Sequence, residues 1–266
     1  MEHAIARLRA PEVAARLAAG AALILPMGST ETHGPAAPMG DYLLAEAIAM
    51  QAAGALAVQG DDALVAPGIA FGGEDFFAGV PGAIALSPAT LTALTLECLE
   101  ALHRGAPGAR LLVVNGHGGN IASIDSAQRA MRARHGVVLP ALHLWREAAG
   151  LLKAWGTPAA ATGHGGNPVL SVAMHLLPEL VRPAAIAPGD GPRALFGRRV
   201  SNFGALHLGG VDFALPTHVD EVAPGGVQAE DARSADAALG ARLATALAEA
   251  AAAMLALMRN NPEIAS

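Results

Sequence analysis

The sequence predicts an α/β fold in which a mainly parallel sheet is covered by helices on both faces. Three observations carry that prediction. Short apolar runs end abruptly at glycine, as strands buried on both faces do. Strand-like, loop-like and helix-like segments then alternate along the chain. Finally, clusters of Gly, His, Asn and carboxylates stand directly after the apolar runs, where open α/β sheets bind ligands.

The elements follow in order. Ala21-Ala22-Leu23-Ile24-Leu25-Pro26-Met27, closed by Gly28, reads as the first buried strand, and residues 41–53 as a helix behind it. Residues 64–66 form a weaker strand candidate, followed by a helix over 88–104. Leu111-Leu112-Val113-Val114 repeats the arrangement of the first strand, with a polar loop over 115–120 and a helix over 121–134. A third strand is expected over 137–144, a helix over 168–177, and a long alanine-rich helix over 230–258. The Gly- and Pro-rich stretches at 189–192 and 223–226 read as surface turns rather than domain boundaries, so residues 1–266 are expected to form one domain.

Composition narrows the function. Apolar residues make up 53% of the 266-residue chain and aromatics 3%, so the core must be built from Ala, Val, Leu and Ile. The net charge of -6, with Lys153 as the one lysine, leaves no basic face for nucleic acid. The single cysteine, Cys98, cannot pair within the chain, which fits a reducing, cytoplasmic setting. No export signal is evident near Glu2, Arg7 and Arg9, and no apolar run free of glycine and charge is long enough to span a bilayer.

Three polar clusters carry the chemistry. The first runs from Gly28 through Glu31 and His33 to Asp41 on a loop constrained by Gly34, Pro35, Pro38 and Gly40. Carboxylate, imidazole and carboxylate are metal-ligand types, and an extended Glu31-Thr32-His33 places the first two on one side. Asp41 suits a bridging carboxylate between two cations, or alternatively the N-cap of the helix behind it. In the second cluster, Asn115-Gly116-His117-Gly118-Gly119-Asn120, His117 is either a ligand or a structural histidine in a glycine-rich turn. The Gly118 and Gly119 amides lie where a helix begins and could stabilise an oxyanion. The third, Gly163-His164-Gly165-Gly166-Asn167-Pro168, repeats the Gly-His-Gly-Gly-Asn string, and His164 suits proton transfer to a leaving nitrogen. Other histidines are expected to be structural, with a reservation for His207 and His218 in a loop-rich region. Trp145 and Trp155 are expected to pack.

Leu25-Pro26-Met27-Gly28-Ser29-Thr30-Glu31-Thr32-His33-Gly34-Pro35 resembles the first signature of the creatininase family, and residues 115–120 resemble its second. Further similarity at 81–87, 164–171, 178–181 and 226–240 spreads the resemblance over most of the chain. It implies a three-layer αβα sandwich, often assembled as a homo-oligomer up to a hexamer, that hydrolyses non-peptide or cyclic C–N bonds. By position, Glu31 would bind one metal, His33 the other, Asp41 would bridge, His117 would complete the first shell, and His164 would be the acid/base group. Glu74 falls in the family's substrate-contact loop.

The chain departs from the family pattern at several positions. Asp41 matches only with a one-residue deletion, Ala36 replaces a common histidine, and Asn167 and Val169 stand where carboxylates are frequent. Gly119 occupies the position of a creatininase glutamate ligand, which leaves the second metal a thin shell and resembles the deformylase branch.

The expected reaction is hydrolysis of an amide, formamide or lactam of a small molecule by a metal-bound hydroxide. Its cofactor is one or two divalent cations per subunit, Zn, Fe(II) or Mn. Two rivals share the site. One hydrolyses a C–C or C–O bond of a cyclic ketone or lactone; the other is an inert family member that only binds.

Overall fold

The computed structural model describes residues 1–73, 76–189, 194–202 and 204–261, without the side chains of Arg199, Ser201 and Asn202. Its central sheet is parallel throughout and runs in the order β2 (Ala63–Val65), β1 (Ala22–Met27), β5 (Leu111–Asn115), β6 (Ala141–His143). Two further strands, β3 (Gly72–Gly73) and β4 (Ala85–Leu86), form a small parallel pair. Downstream, β7 (Ala194–Leu195), β8 (Arg198–Asn202), β9 (Ala205–Leu208) and β10 (Val211–Ala214) make an antiparallel sheet.

The helices are α1 (Ala10–Ala18), α2 (Asp41–Val58), α3 (Pro88–Gly105), α4 (Ile121–His135), α5 (Leu144–Ala154), α6 (Val169–Leu176), the short α7 (Val219–Val222) and α8 (Ala237–Asn260). Alternation along the strands sorts them into layers, since successive side chains point to opposite faces. Ala22, Ile24, Leu112 and Val114 pack with α2, α5, α6 and α8. Leu23, Leu25, Leu111 and Val113 pack with α1, α3 and α4. The result is the three-layer αβα sandwich.

Local chemistry sets the helix boundaries. The Ser87 hydroxyl accepts from the Thr90 amide at 3.2 Å, with Pro88 at the first helical position of α3. Asp236 caps α8 by accepting from the Leu239 amide at 2.8 Å, so this helix starts later than residue 230. Gly136 ends α4 in the left-handed conformation at φ 75°. The strand expected over 137–144 contracts to Ala141–His143, because α5 starts directly at Leu144.

α2 and α8 are long and apolar enough to cross a membrane by length and composition alone, although each carries glycine and charge. Both pack against the same face of the sheet. At the amino ends of the strands, Arg110 makes a two-pronged ion pair with Asp61, at 2.6 and 2.9 Å, and donates to the Leu255 carbonyl of α8. Arg16 of α1 grips Asp62 in the same way. The polar clusters lie at the other end, where the strands finish.

Of the two expected surface turns, most of the first lies outside the described residues. The second is not superficial: Gly226 is buried against Thr32 and Gly34.

Candidate metal centre

β1 ends at Met27, and the chain then runs over the sheet's carboxyl edge. Thr30 bridges Gly40 on one side and Ile84 on the other, which brings both ends of the 30–40 loop together. Glu31 donates its amide to the Met39 carbonyl at 2.8 Å, closing that loop. Asp41 is the first residue of α2, with Gly40 at the cap position and no side-chain cap bond. Its carboxylate instead turns back to β1, where Oδ1 accepts from the Ser29 amide at 2.5 Å.

β5 delivers His117 to the same place. His117 Nδ1 lies 2.6 Å from Glu31 Oε2 and 3.5 Å from Asp41 Oδ2, while its Nε2 faces the Gly73 carbonyl at 3.4 Å. His33 Nε2 lies 3.2 Å from Glu31 Oε1, and its Nδ1 faces the Pro38 carbonyl at 3.2 Å. His164 arrives from the third cluster. Its carbonyl accepts from Gln228 and its ring stacks on His33, with centroids 4.9 Å apart. Its Nε2 donates to the Thr32 carbonyl, and Nδ1 lies 4.0 Å from Glu31 Oε1.

The five polar residues expected from sequence therefore converge. Their ligand atoms form two groups suited to a cation, Glu31/Asp41/His117 and Glu31/His33/His164, each with its atoms within 4.8 Å of one another. Glu31, His33, Asp41 and His117 are buried, yet His33 Nε2 and Asp41 Oδ2 meet Glu31 and His117 only as ion-pair neighbours, without a well-formed hydrogen bond. Buried polar atoms left so are costly unless something else satisfies them. A divalent cation fits that requirement, and the oxygen and nitrogen donors suit Zn, Mn or Fe(II).

The electrostatics agree with this. Burial raises the Glu31 carboxyl, but His117 and His33 outweigh it and hold the group well below its usual range. Asp41 is pushed up to about 6 by burial and by the neighbouring Glu31 charge. Burial opposes the charge on His117, yet Glu31 and Asp41 hold it well above its usual value. His164 is lowered to about 4 by burial and by His33.

A small cleft opens onto the group, with Ser29, Thr30, Glu31 and His117 as its polar floor. Its walls are Gly72, Gly73, Phe77, Ala83, Ile84 and Ala85. Phe77 also covers the imidazoles, with centroids 5.1 Å from His164 and 6.1 Å from His117. The backbone along the pocket is that of Gly72 and Gly73, whereas Gly118 and Gly119 form the 3₁₀ turn after His117. Glu74 lies outside the described residues.

His207 pairs with Asp212 at 2.8 Å on the exposed hairpin, and His218 caps α7. Neither joins the cluster. α7 nevertheless serves the site, because Val219 and Val222 pack with Phe76 and Phe77. Trp145 donates to the Gly116 carbonyl and Trp155 lies under the Arg242 guanidinium at 3.6 Å. Ala36 and Val169 are both in the core, so neither position faces the centre with a polar group.

Sequence reasoning missed the residues that hold the site in place. Ser29 donates its hydroxyl to Glu31 Oε2 at 2.6 Å. Asn120 joins three segments, donating to the Gly28 carbonyl and Asn115 and accepting from the Gly73 amide. The only sequence signal for these was their place inside the two glycine-rich clusters.

Comparison with known proteins supplies the context. The family model for creatininase, described as creatinine amidohydrolase, matches residues 6–255. A mycofactocin precursor peptide peptidase from Mycobacterium ulcerans is 31% identical over 175 residues, 63% of each chain, so the match spans less than two thirds of that relative. A crystal structure of creatinine amidohydrolase superposes with a TM-score of 0.73 at 24% identity over 97% of both chains. A manganese creatininase gives 0.71 at 24% identity, over 98% of this chain and 99% of that one. At that identity the two structures establish a common fold.

Proposed function

The chain belongs to the creatininase family, and on that premise we propose that it is a metal-dependent amidohydrolase acting on the C–N bond of a small amide, formamide or lactam. The observation that carries the proposal is the pair of buried ligand groups sharing Glu31 at the floor of the pocket. A divalent cation held there, Zn, Mn or Fe(II), would polarise the carbonyl as a Lewis acid and acidify a water.

The chain's own residues do the rest. Ser29 fixes the Glu31 carboxylate, and the backbone carbonyls of Pro38 and Gly73 orient His33 and His117. Phe77, Ala83 and Ile84 give the substrate an apolar wall, and Phe77 keeps bulk water from the imidazoles. Exposed Phe196, Val211 and Phe213 on the antiparallel sheet support the expected homo-oligomer.

The peptidase name of the M. ulcerans relative supports a second reading, in which the bond belongs to a peptide. A panel of N-formyl compounds, lactams, short peptides and lactones, assayed before and after chelation, tests both. Amide turnover that vanishes with the metal and returns on adding it back supports the proposal. Full turnover without metal, or turnover of lactones alone, refutes it.

A further inference from the structure

We infer that β10 is a seam between two copies of this chain. The outer strands of two antiparallel sheets pair across a two-fold axis at Phe213, and the joined sheets hold the Phe77 wall of the pocket in place. The inference rests on the homo-oligomer reading above and names the surface and register that build it.

The strand order β10-β9-β8-β7 leaves β10 outermost in its sheet among the described residues, and Val211–Ala214 are all exposed. Opposed residues of an antiparallel pair point the same way, which sorts the hairpin into two faces. Val211 stands opposite Leu208 and Phe213 opposite Leu206, so one face is apolar throughout. The other carries Asp212 opposite His207, joined at 2.8 Å. On the apolar face Leu208, Val211 and Phe213 are exposed. Edge strands are normally guarded by proline, lysine or a bulge. Val211–Ala214 has none of these, and the register shift of the sheet lies further in, at Val200 and Asn202 of β8. Such an edge accepts another strand.

The backbone sets the register. The Leu215 amide donates to the Gly204 carbonyl, and bonded pairs recur at every second residue of an antiparallel ladder. Val211, Phe213 and Leu215 therefore turn their backbone groups toward β9, whereas Asp212 and Ala214 turn theirs outward. An incoming strand must bond those two residues and keep apolar side chains on the apolar face. A two-fold axis at Asp212 would set two carboxylates against each other. An axis at Ala214 would call on an amide that Pro216 lacks. With the axis at Phe213, the two Phe213 rings meet, Val211 faces the second copy's Leu215, and Asp212 faces its small Ala214. Each contact then occurs twice, as in a closed dimer. This match of the strand with itself selects a second copy as the occupant.

The seam bears on the pocket through the root of the hairpin. Val200 of β8 opposes Leu206 and is buried with Phe76, Phe77, Val219 and Val222. Beyond β10 the chain returns to the same cluster, where the Val219 amide donates to the Phe76 carbonyl at 2.9 Å. The phenylalanine pair is thus held from both ends of the hairpin. Pairing at β10 joins two four-stranded sheets into one and steadies the Phe77 ring over His117 and His164.

The test compares sedimentation and amide turnover of the full-length, Zn²⁺-loaded wild type with those of Phe213→Glu. It adds mild oxidation of Phe213→Cys and Val211→Cys, each on a Cys98→Ser background that removes the native thiol. The wild type should sediment as an even multiple of the chain. Phe213→Glu sets two carboxylates on the axis and should sediment as a smaller species, with its metal content kept and kcat/KM down about 10-fold. Phe213→Thr replaces it if circular dichroism shows misfolding. Phe213→Cys should cross-link to itself, because opposed Cβ atoms in such a pair lie about 4.5 to 5.5 Å apart, close enough for a disulfide after a small shift. Val211→Cys, which faces position 215, should not. Unchanged sedimentation of Phe213→Glu overturns the inference, as does self-linking of Val211→Cys equal to that of Phe213→Cys. Dissociation with unchanged kcat/KM overturns the link to the pocket. A monomeric wild type overturns the inference and the homo-oligomer reading together and leaves the edge to an extended peptide. Metal-dependent amide turnover by that monomer would still uphold the amidohydrolase.

Discussion

Asn115 and His143 meet side by side at the carboxyl ends of β5 and β6, with the amide Nδ2 3.1 Å from the imidazole Nδ1. The same nitrogen donates to the His117 carbonyl at 2.7 Å, while Oδ1 accepts from the His117 amide at 3.2 Å and from Asn120 at 3.1 Å. All four hydrogen-bonding positions of the amide are used. Burial lowers the pKa of His143, which keeps the ring a neutral acceptor.

Asn115→Asp should therefore be far from conservative. It removes two donated bonds and sets a carboxylate against the His117 carbonyl, at a cost of about 2 to 4 kcal/mol by chemical denaturation. Metal affinity should fall about 10-fold or more, because the His117 loop loses its frame. An unchanged midpoint and unchanged affinity would contradict this account.

Metal binding should weaken in acid. Asp41 titrates at about 6 in the metal-free fold, so below that pH a proton competes for the oxygen the cation needs. His117, held well above its usual value, must also lose its proton to ligate. Calorimetry in buffers of different ionisation enthalpy should show protons released on binding, in larger number at pH 5 than at pH 7.

Stability of the metal-free protein should change in the matching direction. Asp41 has a raised folded pKa, so its ionisation costs the fold progressively from near pH 4 up to about 6, on the order of 2 to 3 kcal/mol in all. The raised His117 contributes stability that is full below its unfolded value near 6.5 and is lost as the pH climbs through its folded one. His164, lowered to about 4, opposes the Asp41 loss by adding stability up to about pH 6.5, so denaturant midpoints of chelated protein should fall from about pH 7 to about pH 9, and saturating metal should flatten or reverse that slope.

Phe77→Leu should separate the pocket wall from the ligands. Since Phe77 lines the pocket and lies 5.1 Å from the His164 ring, kcat/KM for an amide substrate should drop by about 10-fold while metal stoichiometry stays the same. Loss of metal together with activity would show that the ring supports the ligands instead.

Asp61→Ala should do the reverse. With side chains 7% and 8% exposed, Asp61 and Arg110 form a buried pair, and removing one partner should cost about 3 to 5 kcal/mol. Below the lowered melting temperature, metal affinity and turnover should remain at wild-type values, because this pair lies at the opposite end of the sheet.

The parts of the fold visible in the sequence were those with strong local contrast. β1 and β5 are apolar on both faces and end at polar glycine-containing loops, so both were identified to within about one residue. α1, α5 and the β7 to β10 sheet were not. α5 follows β6 without a loop, so its first residue was absorbed into a predicted strand. The hairpin strands β9 and β10 are largely exposed, and exposed strands carry no apolar run to find. At the site, Glu31, His33, Asp41, His117 and His164 were legible because ligand-type side chains follow buried strands or sit between glycines. Ser29, Asn120 and His143 were not, since an amide network has no periodicity. The partner of each oxygen depends on where the 30–40 loop closes, and only the folded chain defines that.

Gly240, in the first turn of α8, lies against the backbone of Ser171 in α6, where any Cβ would overlap the Ser171 carbonyl. Ser171 in turn accepts from the Asp236 amide at 2.9 Å and donates its hydroxyl to Asn167, three residues beyond His164. The last helix is thus the footing on which the third histidine stands. A change that displaces the first turn of α8, such as Gly240→Ala, should therefore act like a mutation in the active centre, whereas shortening the helix from its far end should first strip the sheet's amino edge of its cover.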